Sequence, residues 1–218
     1  MEKIILLVIF FAQFNFSHAQ SGKIKSVEVL RERLKNEKNI DSIISLNNKI
    51  AIELKNNNAV DEALILLRKT IKLSKKNNNT KGLGGSYLVL TNIYLYNSQL
   101  DSATYYNNKA IESFKKIKAY NNIAKAYLHK SIIFQCKSDF KNQLKYALIS
   151  LEFAKKSKDN ILLSDNYNNL AMYALDQHKY EEALKYAKNS NKYALLSKND
   201  QRINNSYSGL AESYSLLN

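Results

Sequence analysis

The sequence predicts an all-α fold, a solenoid of antiparallel helix hairpins, on three observations. The chain repeats itself every 40 residues: HKYEEALKYA at 178–187 answers SDFKNQLKYA at 138–147, and behind them stand SQLDSATYYN at 98–107 and NAVDEALILL at 58–67. The aromatic residues keep the same phase, with Tyr87, Tyr127, Tyr167 and Tyr207 each 40 apart and Tyr106, Tyr146 and Tyr186 marking the other half of each unit. Proline is absent and only five glycines occur, so long helices run without their usual breakers and a turn-dense β fold is disfavoured. A period of this size belongs to units that cannot bury their own apolar face and must stack on neighbours. At 218 residues with 45% hydrophobic content the chain can bury a sizeable core.

The elements follow in order. Lys3 precedes an apolar run from Ile4 to Phe11, and Ser17-His18-Ala19 places small residues before Gln20. Residues 1–19 therefore resemble a secretory signal peptide, and the expected protein is exported, periplasmic or secreted, beginning near Gln20. Gln13 and Asn15 interrupt the apolar stretch, which falls short of the roughly 20 residues a spanning helix needs, so stable membrane insertion is not expected. Residues 20–43 read as a capping helix and linker, because Val27, Leu30 and Leu34 fall where a second helix puts its buried residues. Four full repeats follow at 44–83, 84–123, 124–163 and 164–203, with the first helix of a fifth at 204–218.

Within a unit the first helix carries a large-x-x-large-small-x-x-large code: Tyr87, Leu90, Thr91 and Tyr94, then Tyr167, Leu170, Ala171 and Ala174, then Tyr207, Leu210, Ala211 and Tyr214. Spacings of three and four place these on one helix face, where the small residue permits close approach of a neighbour. The four tyrosines are expected in equivalent packing sites. At the last helix, Ser206, Ser208, Ser213 and Ser215 are expected to make a polar capping face.

This code, followed by a second helix with Ala183 and Ala187 and with Tyr180 closing the turn, resembles the tetratricopeptide repeat (TPR) family over most of the chain. The period is 40 instead of 34, no unit ends in the family's proline, Gln143 replaces the second-helix alanine and Lys130 replaces a leucine. The resemblance implies a long-helix variant forming a right-handed superhelix, with a groove lined by first helices that binds peptides or partner helices. Groove candidates on the non-packing side are Asn48 and Ile52, Leu88 and Asn92, Lys125, Leu128 and Ile132, and Asn168, Asn169 and Met172. Lys125 and Asn92 resemble two members of the clamp by which chaperone-binding relatives hold a dicarboxylate, and the rest of that basic set is missing.

The formal charge of +14 raises the question of an anionic partner. Only Arg31, Arg33, Arg68 and Arg202 are arginine, and the abundance of Lys, Asn, Ile and Tyr is what A/T-rich codons supply. Nucleic acid is accordingly disfavoured as a partner. Lys75-Lys76, Lys115-Lys116 and Lys155-Lys156 recur at the ends of second helices, with Asp61-Glu62, Asp101 and Glu181-Glu182 at their starts, which complements each helix dipole. A lysine ridge remains a weaker alternative site for an anionic partner.

Catalytic and metal chemistry find little support. His129 and Cys136, seven apart, lack a third ligand for zinc. GLGGS at 82–86 opens a helix as a phosphate loop would, but no Gly-Lys-Ser/Thr follows, so it reads as a flexible inter-repeat turn where helices pack closely. No serine-nucleophile elbow is present, and no cofactor is expected. The predicted function is a non-enzymatic module for a protein or peptide ligand. The alternative is the extracytoplasmic sensory portion of a signalling regulator, whose kinase or DNA-binding output would be encoded elsewhere.

Overall fold

A computed structural model describes residues 26–217. The predicted signal segment, 1–19, and the start of the linker lie outside the described residues. Among the described residues the chain is helical throughout, without strands. A short α1 covers 26–35; of the three residues expected to face inward, Val27 is buried and Leu30 and Leu34 are half-buried. Long helices of near-constant length follow: α2 (Ile40–Asn56), α3 (Val60–Lys76), α4 (Thr80–Tyr96), α5 (Leu100–Lys116), α6 (Tyr120–Cys136), α7 (Phe140–Ser157), α8 (Asn160–Asp176), α9 (Tyr180–Ser197) and α10 (Asp200–Ser215). No described helix is long and apolar enough to cross a membrane. The chain divides into two compact units, one ending at Ile93 and the other beginning at Tyr94.

First helices begin at 40, 80, 120, 160 and 200, four residues ahead of the boundaries read from the tyrosine motif. Side-chain caps explain much of the offset. Asn39, Asp159 and Asn199 each accept the amide of the third residue beyond, satisfying a donor that has no intrahelical partner, and Asn79 does the same for Gly82. Helix ends are just as regular. A residue with positive φ recurs every twenty positions, at Asn58, Asn78, Ser98, Lys118, Ser138, Lys158, His178 and Lys198. At six of these turns the next amide reaches back five residues, as Ala59 N–H does to Leu54 O at 2.8 Å and Gln99 N–H to Tyr94 O at 2.8 Å, which is the Schellman closure.

None of these left-handed positions is glycine, although a Cβ there costs roughly 1–2 kcal/mol. Lys118→Gly is therefore expected to stabilise the protein by about 1 kcal/mol, read as a raised urea midpoint at unchanged m-value. An unchanged or lowered midpoint would count against the Schellman assignment.

The second unit is built from hairpins α6–α7 and α8–α9, with α5 packed on α6, α7 on α8, and α10 on both α8 and α9. Its centre is Ala124, Ala147, Leu151, Ala154, Leu162, Leu163 and Leu170. Aromatic pairs join the two helices of each repeat: Tyr127 stacks on Tyr146 and Phe153 at 6.0 and 5.9 Å, and Tyr167 lies 5.5 Å from Tyr193, nearly parallel. The expected equivalence of the tyrosines thus holds for Tyr127 and Tyr167. Tyr207 departs from it, being 53% exposed, because no described second helix covers α10. The expected serine cap also fails in part: Ser206 and Ser213 are buried and donate to Ile203 O and Gly209 O of their own helix.

The first unit corrects the reading of GLGGS. These residues lie inside α4, and the close packing is its cause: a Cβ on Gly82 would collide with Ile44 Cγ2, and one on Gly85 would lie 3.1 Å from Asn48 Nδ2. Tertiary approach here overrides the low helix propensity of glycine. Elsewhere α1 is tied down by Ser26 Oγ donating to Glu53 at 3.0 Å and by an Arg31–Glu62 ion pair.

The two side-chain substitutions among the departures from the TPR pattern have different outcomes. Lys130 occupies a leucine position by sending its ammonium out over the Tyr146 ring at 4.6 Å and to Asn108 Oδ1 at 2.9 Å. Gln143 is fully buried where Ala63, Ala103 and Ala183 stand in the other repeats, and neither end of its amide meets a protein partner. Gln143→Met keeps the volume and removes both unsatisfied groups, so it is expected to stabilise by about 2 kcal/mol in chemical denaturation. A loss of stability would show that the amide has a partner in solution.

Candidate functional site

The expected groove residues are presented in turn by α2 and α4 of the first unit and by α6 and α8 of the second. In the first unit Ile52 is 43% exposed, Asn92 is exposed and Leu88 is half-buried. Asn48 is otherwise engaged. Its Nδ2 donates to Gly82 O at 3.3 Å and its Oδ1 accepts the Ser86 hydroxyl at 2.7 Å, so it braces α2 against α4 and offers little to a partner.

In the second unit the structure brings Leu128 and Ile132 on α6 beside Asn168 and Met172 on α8, each pair one turn apart. Met172 is 43% exposed, Ile132 and Asn168 are half-buried, and Leu128 packs partly on the core beneath. Asn168 Nδ2 lies 3.9 Å from Met172 Sδ. Lys125 is exposed at the start of this face. Asn169 does not belong to it: the residue is buried and accepts the Ser131 hydroxyl at 2.9 Å, bridging α8 to α6. Adjacent helical residues point about 100° apart, so Asn168 and Asn169 cannot share one face.

Four flanking residues escaped the sequence reading. Arg202 grips Asp165 through two hydrogen bonds of 3.0 Å, and Gln135 Nε2 donates to Asp176 at 2.9 Å. Their signal was available, since Lys125 and Asp165 occupy one repeat position 40 apart and Gln135 follows Ile132 by three. The resulting surface has an apolar middle, Lys125 at one side, and carboxylates already held in place. It can receive an apolar side chain and orient polar backbone beside it.

Several of the remaining candidates are occupied by packing or pairing. Lys116 pairs with Glu112 at 2.9 Å and Lys156 with Glu152 at 2.7 Å, while Lys115 lies over the Tyr127 ring at 5.6 Å. In the second unit the lysine ridge is thus partly neutralised within the chain, and the Lys116 ammonium holds the Glu112 carboxyl below its ordinary range. His178 Nδ1 meets Tyr180 OH at 3.0 Å on the surface. Burial, and secondarily the Lys125 charge, push the His129 imidazole down to about 4. Among the described residues no cluster of three metal-ligating side chains occurs.

No protein-family model and no curated protein matches the chain. Solved structures do. BtubC (BKLC) from P. vanneervenii superposes with a TM-score of 0.71 at 14% identity, covering 91% of this chain and 82% of that one. A signal-transduction ATPase with numerous domains and a tetratricopeptide repeat sensor, from Pyrococcus horikoshii, gives 0.68 at 21% identity over 90% of this chain and 31% of that protein. The nearly identical TPR-like repeats of a Podosopora anserina putative kinesin light chain give 0.56 at 14% identity over 83% and 92%. At these identities the likeness is one of architecture, and it agrees with the repeat code: the protein has the all-α fold of TPR-like helical-repeat proteins.

Proposed function

We propose that the protein is a non-catalytic interaction scaffold, exported from the cell, that holds a peptide or helix of a partner protein on the face formed by α6 and α8. The observation that carries this reading is the exposure of Met172 beside Ile132 and Leu128, an apolar strip on consecutive first helices whose polar flanks are already paired. Such a strip suits a helix or extended segment anchored by one or two apolar side chains. Repeat proteins with this fold, including one named for its sensor, support an interaction role by analogy.

A photo-crosslinking residue at position 172 in the native host tests the proposal against the same residue at the exposed position 185. A discrete crosslinked protein at 172 alone, lost at least tenfold when Leu128→Ala and Ile132→Ala are added, is the expected result. Equal labelling from both positions would reject this face. Amino-terminal sequencing of the native protein tests export, with Gln20 or a near neighbour as the expected first residue. The sensory reading, which the Pyrococcus likeness favours, is separated by whether the gene continues beyond codon 218 into an apolar segment.

A further inference from the structure

Three side-chain bonds fix how α6 and α8 lie against one another. Asn121 Nδ2 donates to Asp159 at 2.6 Å, the Ser131 hydroxyl to Asn169 at 2.9 Å and Gln135 Nε2 to Asp176 at 2.9 Å. The partners are 38, 38 and 41 residues apart, so the two helices run parallel and each residue of α6 stands near its repeat equivalent on α8. Two stripes therefore lie side by side, each at spacings of three or four: Lys125, Leu128, Ile132 and Gln135 on α6, and Asp165, Asn168, Met172 and Asp176 on α8. None of these side chains is buried.

The stripes carry opposite charge at their two ends. At the amino-terminal end Arg202 meets the charge of Asp165, so that exposed Lys125 leaves this end positive. At the carboxyl-terminal end Asp176 is exposed, and Gln135, being neutral, holds its carboxylate without cancelling it. Lys137, just beyond Gln135, pairs instead with Asp101 at 3.3 Å. The carboxylate of Asp176 is unfavourable for its own helix. It is the last residue of α8, where the dipole favours a cation, and the equivalent residues Asn56, Tyr96 and Cys136 are uncharged. Local stability gives no reason for an acid here, whereas a basic group on a ligand does. Asp176 follows Asp165, the repeat equivalent of Lys125, by eleven residues, about 16 Å along the axis, and the apolar strip fills the interval.

We propose, resting on the reading of this face as an interaction site, that the partner segment it holds is an amphipathic helix with one acidic and one basic residue eleven positions apart and two apolar residues between them. Eleven residues are three helical turns, so positions i, i+4, i+7 and i+11 share one face. They meet in turn Lys125, the level of Leu128 and Asn168, the level of Ile132 and Met172, and Asp176. An extended segment suits the face less well. It would cover the same distance in about five residues whose amides and carbonyls need partners. Gln135 and Asn169 have spent their carboxamides on Asp176 and Ser131, which leaves Asn168 for that task. A helix closes its own backbone bonds and needs only the charges and the strip.

The test uses the whole protein and a fluorescent synthetic peptide, AQAEAQALAQLAQAKAQA, which sets Glu, two Leu and Lys at this spacing. At physiological ionic strength the overall charge of +14 is screened beyond about 8 Å, so that contacts on the face decide the outcome. Saturable binding with a gain of peptide helicity is expected. Lys125→Glu and Asp176→Lys, both at exposed positions, should each weaken it about threefold or more, the order of one exposed ion pair turned into a repulsion. The double variant should recover it, because a helix can lie the other way round on a face of reversed polarity, a rescue that a merely structural role for either residue would not give. Peptides carrying two glutamates or two lysines in place of the mixed pair should bind more weakly than the mixed one. Absence of saturable binding, binding indifferent to the single reversals, or a two-glutamate peptide that binds as tightly as the mixed one would overturn the inference. Crosslinking from position 172 in the same variants separates it from the reading beneath it. Loss in each single variant with recovery in the double supports both; a crosslink unmoved by the reversals keeps the face and overturns the charged helix; no crosslink in any of them removes the face itself.

Discussion

Ala183→Glu is expected to lower the free energy of unfolding by about 4 kcal/mol, the order seen when a buried charge is left without a partner. Ala183 is fully buried in α9, as Ala63 and Ala103 are at the equivalent positions of α3 and α5. Glutamate there adds a larger side chain to a packed contact and a carboxylate to an apolar one. Protonation can relieve the second penalty but not the first, so the loss should shrink, without vanishing, as pH approaches 5. Repeats lean on their neighbours, and amide exchange should accelerate in α8 and α10 as well as in α9. Urea denaturation measures the total. A shift below about 1 kcal/mol would place Ala183 on a surface, since exposed substitutions stay within roughly 0.5 kcal/mol.

The repeat itself was legible because its signal is redundant. Tyrosines, alanines and terminal charges all return at 40 residues, and the acidic first turns of α3, α5 and α9 and basic last turns of α3, α5 and α7 sit where the dipole argument put them. Most helix ends were not legible, because six of the eight residues in the left-handed region are Ser, Lys or His, which carry no stop signal, where glycine or asparagine would have. Gly82 misled in the opposite sense: glycine in a sequence signals a turn, and only the proximity of Ile44 reveals it as a packing contact inside α4.

The candidate site was half legible for a related reason. Helical spacing identified Leu128, Ile132 and Met172, whose apolar character and periodicity point the same way. It could not separate the asparagines. Asn168 remains on the face, whereas Asn48 and Asn169 spend their carboxamides on hydrogen bonds to the next or the preceding first helix. That difference is set by which serine stands 38 residues away, Ser86 for Asn48 and Ser131 for Asn169, an offset just short of the repeat that a search at 40 passes over.

Stability is expected to fall by about 3 kcal/mol between pH 6.5 and 4 through one residue, His129, at 1.36 kcal/mol per pH unit of displacement. The residue as a whole is only partly buried, but its Nδ1 is shielded from solvent and has no hydrogen-bond partner, so burial is the leading cause of the shift and Lys125 adds a second. The folded-state value of about 4 lies below the ordinary 6.5. Between those values the unfolded chain takes up a proton that the native protein does not. The contribution is therefore complete above pH 6.5, declines as pH falls, and is exhausted near pH 4. Glu112 and Asp139 also have lowered values, from ordinary ones of 4.5 and 3.8, so their contributions are lost at the acid edge of that window and below it. Urea midpoints at constant ionic strength from pH 7.5 to 4.5 should trace the decline in the native protein and stay nearly flat in His129→Phe. Lys125→Gln should flatten the curve only partly, because it removes the smaller cause. A native curve already flat across this range, or an imidazole titrating near 6.5 by nuclear magnetic resonance, would mean that His129 turns its ring to solvent.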